Sequence, residues 1–266
     1  MSVGPPVSRQ GRLRPVRMLG IALAVLAILA LCPRAGRAEG HVVITAWNYY
    51  QHPPFLCAAK EGLAPEFIRL LNDMSRGKYR FSLVNLPRKR VDQYLEFKEP
   101  GIVLFVNWIW MDDADRTKYH WSQTLLSDRN EILSNAAAPI DYRGVHSLYG
   151  KLLGGVPGRR YQGIDKAVAQ GRLYRQDSPS TEQNLEKLLL RRIDFLTAPR
   201  SILRCLIKEH KCGEQVYFSP EPLIRFTRHI LVPRYMPDVF AQVKETLGRL
   251  LDSPEWARLK GKYLVD

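Results

Sequence analysis

Cysteine and histidine are scarce in this chain, with four cysteines in 266 residues and six scattered histidines. Four cysteines are too few to scaffold a disulfide-held miniprotein, and none groups with histidine at the spacing of a structural zinc site, so no metal is expected. No Gly-x-Ser-x-Gly elbow, phosphate loop, His-Glu-x-x-His pair or dinucleotide glycine motif occurs, and catalysis is not the expectation. No cofactor is called for either. The longest apolar run falls short of the roughly 20 residues that span a bilayer. Internal repeats and low-complexity segments are absent. At 45% apolar and 25% charged residues, the chain has neither the composition of a disordered protein nor that of a fibrous one. A hydrophobic core must hold it.

Positive charge is abundant: Lys and Arg number 40 against 26 Asp and Glu, a formal +14. Part of that excess lies in a segment resembling an export signal. Arg9, Arg12, Arg14 and Arg17 form a basic start, residues 18–32 form an apolar stretch, and Gly36-Arg37-Ala38 offers small residues at a cleavage point. Cleavage is expected after Ala38, so that residues 1–38 are a signal peptide and the mature protein is periplasmic. Their removal leaves 34 basic and 26 acidic residues, +8 on 228. The remaining basic residues are dispersed, with Arg88-Lys-Arg90 the densest cluster, which argues against nucleic acid as a partner.

An exported chain meets an oxidising compartment. Cys205 and Cys212 on one continuous helix would lie about 10 Å apart, beyond the roughly 7 Å limit for a bridge. A helix end at Lys211-Cys212-Gly213 removes that obstacle, since Gly is favoured just past a helix end. The expectation is a Cys205–Cys212 disulfide with Cys57 free.

Strand and helix signals alternate along the mature chain. Val42 to Ala46 is a short apolar run, followed by an aromatic, proline-rich loop, Trp47 to Phe55. A helix from about Pro65 places Phe67, Leu70, Leu71 and Met74 on one face. Tyr79 to Leu86 has strand composition, Pro87 opens a helix, and Ile102 to Val106 reads as a strand buried on both faces. A second unit starts near Pro139, with strands at Leu152 to Val156, Arg172 to Arg175 and Ile193 to Thr197. Gly158 opens a helix in this reading, and Ser180-Thr-Glu-Gln183 has the form of a capping box. Ile230 to Val232 crosses back, and two helices begin at Pro237 and at Ser253-Pro254. The expected fold is α/β in two lobes, each a mostly parallel sheet flanked by helices: 39–135 and 222–266 form lobe one, and 136–221 forms lobe two.

Several weak motifs in order resemble the extracytoplasmic solute-binding proteins of family 3, the amino-acid type with the type II periplasmic-binding fold. They are His52-Pro-Pro-Phe55; Gly62 to Leu71; Arg116 ahead of Trp121-Ser122; Gly150 to Gly158; Leu188 to Asp194; and a final helix, Trp256 to Tyr263. The resemblance implies a monomer that captures a small polar solute, amino-acid-like or another organic anion, between its lobes and delivers it to an ABC permease. A sensory or partner-docking protein of the same fold is the alternative reading, and a small lyase or dehydratase a lesser one.

By that resemblance Arg116 would bind a carboxylate, with His52 and Phe55 at the aromatic wall. The position holding a ligand ammonium in amino-acid binders falls on Pro199, which cannot accept that charge. Aromatic residues take its place: Asn107, Trp108 and Trp110 follow the buried strand at the edge where α/β sheets place ligands, and Trp108 and Trp110 share a face if the chain stays extended. Tyr49 joins them from the first loop. In lobe two, Gly158, Arg159 and Tyr161 sit at the expected helix start, where free N–H groups and arginine favour an anion.

Overall fold

In a computed structural model, residues 1–4, 41–57 and 61–266 are described; the basic start, the apolar stretch and the cleavage point of the proposed signal segment lie outside them. No helix among the described residues is long and apolar enough to cross a membrane.

Residues 41–266 form one compact unit. Its strands are β1 (Val42–Asn48), β2 (Tyr79–Asn85), β3 (Gly101–Val106), β4 (Tyr119–Trp121), β5 (Leu126–Asn135), β6 (Leu152–Gly155), β7 (Tyr174–Asp177), β8 (Phe195–Pro199), β9 (Val216–Phe218) and β10 (Ile224–Pro233). The helices are α1 (Leu63–Met74), α2 (Arg88–Glu96), α3 (Ile164–Ala169), α4 (Thr181–Leu189), α5 (Arg200–Glu209), α6 (Pro237–Leu250) and α7 (Pro254–Tyr263). The path through the sheet is β2-β1-β3-β10-β5-β8-β6-β7. β1, β2 and β3 are parallel in lobe one, and β6, β7 and β8 are parallel in lobe two. β10 belongs to both: Ile224 to Arg228 pairs antiparallel with β5, and His229 to Pro233 with β3 and β4.

Apolar residues on alternate sides of the strands give each lobe two cores. In lobe one, Ile44, Leu104 and Ile230 pack against α1, α6 and α7, while Trp47, Val103 and Leu231 pack against α2. In lobe two, Leu133 and Leu196 face α4 and α5, while Ile132 and Phe195 face α3. The expected caps form: Ser180 Oγ accepts from Gln183 N at 3.1 Å, and Ser253 Oγ from Trp256 N at 3.1 Å. Such caps contribute about 1 kcal/mol each.

Alternation fails at Phe105, where φ is 57°. Leu104 and Phe105 both join the α1 side, and β10 shifts register opposite, between His229 and Leu231. A bulky residue in the left-handed region is a strained one, held by its surroundings.

Four expectations are corrected. Residues 130–135, assigned to lobe one, pair with β8 and β9 of lobe two, while Leu125 and Leu126 still join the lobe-one core, so the crossing lies between Leu126 and Asn130. Gly158 does not open a helix: it sits in a turn with φ 75°, and α3 begins at Ile164. Lys211, not Gly213, takes the left-handed position after α5, with φ 51°. Finally, Cys205 and Cys212 are not bridged. The Cys205 thiol faces Tyr263 O at 3.9 Å, whereas the Cys212 thiol turns back to Ile207 O at 3.9 Å among the lobe-two core residues. Burial pushes the Cys205 thiol up to about 11, keeping it protonated.

Candidate functional site

The two lobes meet over the crossing strands, and the floor between them is built on an arginine that sequence reasoning passed over. Arg228 of β10 is 1% exposed. Its Nη2 donates to Asp128 Oδ2 at 2.9 Å, and its Nη1 donates to the Tyr50 hydroxyl at 2.9 Å. The guanidinium lies 4.8 to 5.4 Å from the ring centres of Phe55, Phe226, Tyr50 and Trp110. Burial alone would lower its pKa, but Tyr50 and Asp128 more than offset this and raise it. Asp128 also accepts from Ser201 Oγ at 2.7 Å, tying the start of α5 to the same floor. The Phe105 carbonyl lies 3.1 Å from the Tyr50 hydroxyl, so the left-handed kink in β3 aims a peptide oxygen into this network.

The segment after β3 is not extended. Asn107 is buried, donating to Thr227 O at 2.9 Å and accepting from Ile109 N at 3.0 Å, and Ile109–Met111 form a 3₁₀ turn. Trp108 and Trp110 therefore part company. Trp110 meets Phe226 at 4.9 Å, and Trp108 packs on His229 at 4.7 Å. Arg116 lies over Trp108, 3.6 Å from the ring centre. Its loop is held by Asp113, which accepts from Lys118 N, Tyr119 N and Trp121 Nε1. Burial works against the Asp113 charge, yet these donors depress its pKa. Arg116 consequently lines a smaller pocket of about 580 Å³ with Trp121, His229 and Arg234.

The main cleft has a volume of about 1310 Å³. Of the ten sequence-proposed binding residues, Asn107, Trp108, Trp110 and Tyr161 line it, whereas Tyr49, His52, Phe55, Arg116, Gly158 and Arg159 do not. Phe55 is fully buried and serves the Arg228 floor. Tyr49 packs on Tyr50 at 4.4 Å, and burial raises its pKa well above the usual value. Tyr161 accepts from Val156 N at 2.9 Å and packs in the core. The pKa of His52 is lowered, first by burial and then by the cations Arg159 and Arg228, so its neutral form is favoured.

The cleft also takes in Arg129, Arg160, Arg200 and Arg225. Behind two of them stands Glu131, 1% exposed, which accepts from Arg129 Nε at 2.7 Å and from Arg200 Nη1. Charged residues inside the crossing strands, Asp128, Arg129 and Glu131 in β5 and Arg225 and Arg228 in β10, are the signal available in the sequence. A charge within a buried strand requires a partner. Among the described residues no group of acidic, His or Cys side chains is arranged to hold a metal ion.

No protein-family model matches the sequence, and no curated protein matches it. Solved structures do match the fold. The probable amino-acid ABC transporter extracellular-binding protein ytmK of Bacillus subtilis superposes with a TM-score of 0.66 at 14% identity, covering 84% of this chain and 98% of that one. A mutant of ArgBP from T. maritima gives 0.62 at 13% identity, over 84% and 95%. The GluR0 ligand-binding core from Nostoc punctiforme, in complex with (L)-glutamate, gives 0.60 at 12%, over 84% and 98%. The chain has the two-lobed periplasmic-binding-protein fold, of mixed α/β architecture, and at these identities the likeness is one of fold.

Proposed function

We propose that the protein is an extracytoplasmic solute-binding protein that holds a small organic solute between its lobes and passes it to an ABC permease. The observation carrying this reading is the cleft itself, walled by both lobes and floored by the strands that cross between them. Its polar groups converge beside an aromatic wall of Trp110 and Phe226, the composition expected of a small-molecule site. A volume above the roughly 300–1,000 Å³ of an enclosed ligand site suits a cleft that closes on its solute. The motifs resembling family 3 and the amino-acid-binding proteins among the matching structures support the same reading. So does the sequence of the first 38 residues, which resembles an export signal. The cleft does not reproduce an amino-acid pocket: Pro199 stands where an ammonium acceptor is expected, and Arg116 lies outside the cleft lining.

Native mass spectrometry of the protein purified from its own compartment tests the reading. A carried organic mass that is lost on activation in the gas phase, and whose re-addition raises the melting temperature, is the expected result. A protein that carries nothing and is stabilised by no organic acid or amino acid overturns it.

A further inference from the structure

The charges around the cleft do not cancel. Three carboxylates line it, and each is held by an arginine outside the lining: Asp128 by Arg228 at 2.9 Å, Asp165 by Arg175 at 3.2 Å, and Asp266 by Arg204 at 3.2 Å. The four lining arginines have less company. Arg129 and Arg200 share one buried carboxylate, Glu131. Arg225 stands directly across the ladder from Arg129, and its nearest acid, Glu221, is 3.9 Å away with both side chains exposed. Arg160 has no carboxylate partner among the described residues.

Like charges opposed on neighbouring strands are unfavourable unless something lies between them. Glu131 sits behind Arg129 and Arg200 and fixes them by their shared carboxylate. It thereby leaves other N–H groups of each guanidinium uncommitted, and it cancels only one of the two charges. Together with Arg160, the wall has a surplus of about two positive charges, set beside the Trp110–Phe226 pair.

We propose that the lobe-two wall is a dianion clamp: Arg129 and Arg200, held by Glu131, receive one acidic group of the solute and Arg160 the other, so that the solute class is a small organic dicarboxylate. This rests on the solute-binding reading above and narrows it. Guanidinium groups suit the task because each donates paired, charge-assisted hydrogen bonds to a carboxylate. The aromatic pair leaves room for an apolar or planar body between the two acidic groups.

Titration calorimetry of the purified protein with phthalate, succinate, benzoate and glutamine tests the clamp. The expected result is phthalate binding at least about tenfold tighter than benzoate, glutamine weaker still, and the preference shrinking as salt rises. Arg160→Gln, at an exposed position where folding is not at issue, should lower phthalate affinity about tenfold, and Arg200→Lys should lower it while keeping a charge for Glu131. Benzoate or glutamine binding as tightly as phthalate overturns the clamp, as does unchanged phthalate affinity in both variants. If neither dicarboxylate binds, the clamp is wrong, and native mass spectrometry then separates two cases. A carried solute that is not a dianion leaves the solute-binding reading standing; a protein that carries nothing removes both.

Discussion

Arg228 and Arg116 both rest on tryptophan, and they could hardly be used more differently. Arg228 is buried on the crossing strand, faces four aromatic rings and has its carboxylate in Asp128. Arg116 is exposed on a loop, touches one ring and has no carboxylate partner among the described residues. The resemblance to known binding proteins selects Arg116, because it goes by order along the chain. Burial selects Arg228, because a desolvated guanidinium is tolerated only where partners repay its lost hydration. An aromatic cage already filled by the protein's own cation has no room for a cationic solute, which agrees with an anion in the neighbouring cleft.

The contrast breaks most readily at Arg228. Arg228→Ala should cost about 3–5 kcal/mol in chemical denaturation, since it leaves the buried Asp128 carboxylate without its cation. Added methylguanidinium should recover part of that loss in the variant and none in the wild type; a loss under about 1 kcal/mol would place Arg228 outside the structural core of the site. Asp113→Ala comes next, at about 2–3 kcal/mol, because three donors lose a buried acceptor. Arg116→Ala should cost only about 0.5–1 kcal/mol, the value of an exposed cation–π contact, and should leave solute affinity in the main cleft unchanged. A tenfold loss of affinity in that variant would restore Arg116 to the binding site.

The smallest effect is one of pH. His229 is buried, with Nδ1 at 3.0 Å from Ser122 O and Nε2 at 2.7 Å from the Thr227 hydroxyl. Burial first, and the charge of Arg116 as a lesser cause, depress its pKa, and His52 is depressed likewise. The unfolded chain therefore binds more protons than the folded one just below the unperturbed value of about 6.5. Stability from these residues is present above that pH and falls as the medium is acidified. Melting temperatures between pH 7.5 and 5 should decline, less steeply in His229→Gln; a flat profile in the wild type would contradict the buried neutral state.

Much of the framework is readable in the residues, and the reasons are local. Ser180 and Ser253 announce helix starts through side chains that reach three residues on, and the unbroken apolar run of β3 announces a strand covered on both faces. What stays hidden is whatever depends on a change of direction. Phe105 looks like any member of that run, yet its left-handed backbone turns it to the wrong side for its parity. The turn at Ile109–Met111 sends Trp108 and Trp110 apart, although their spacing in an extended chain would align them. The crossing of β5 is misplaced because the second unit reads as starting near Pro139, whereas the charged residues upstream are the ones that span the lobes. The Cys205–Cys212 pairing fails similarly: sequence distance permits it, and the directions of the two thiols do not.

One strand serving two sheets also has a mechanical meaning. β10 is laddered to lobe two up to Arg228 and to lobe one from His229 onward, and its register slips between His229 and Leu231. A rod clamped in two plates cannot bend where its rungs are intact, so rotation between the plates must gather at the slipped rungs and between Leu126 and Asn130 of the companion crossing. The fold thus concentrates its compliance into a joint only a few residues long. Lobe motion should therefore be shared by the whole of each lobe.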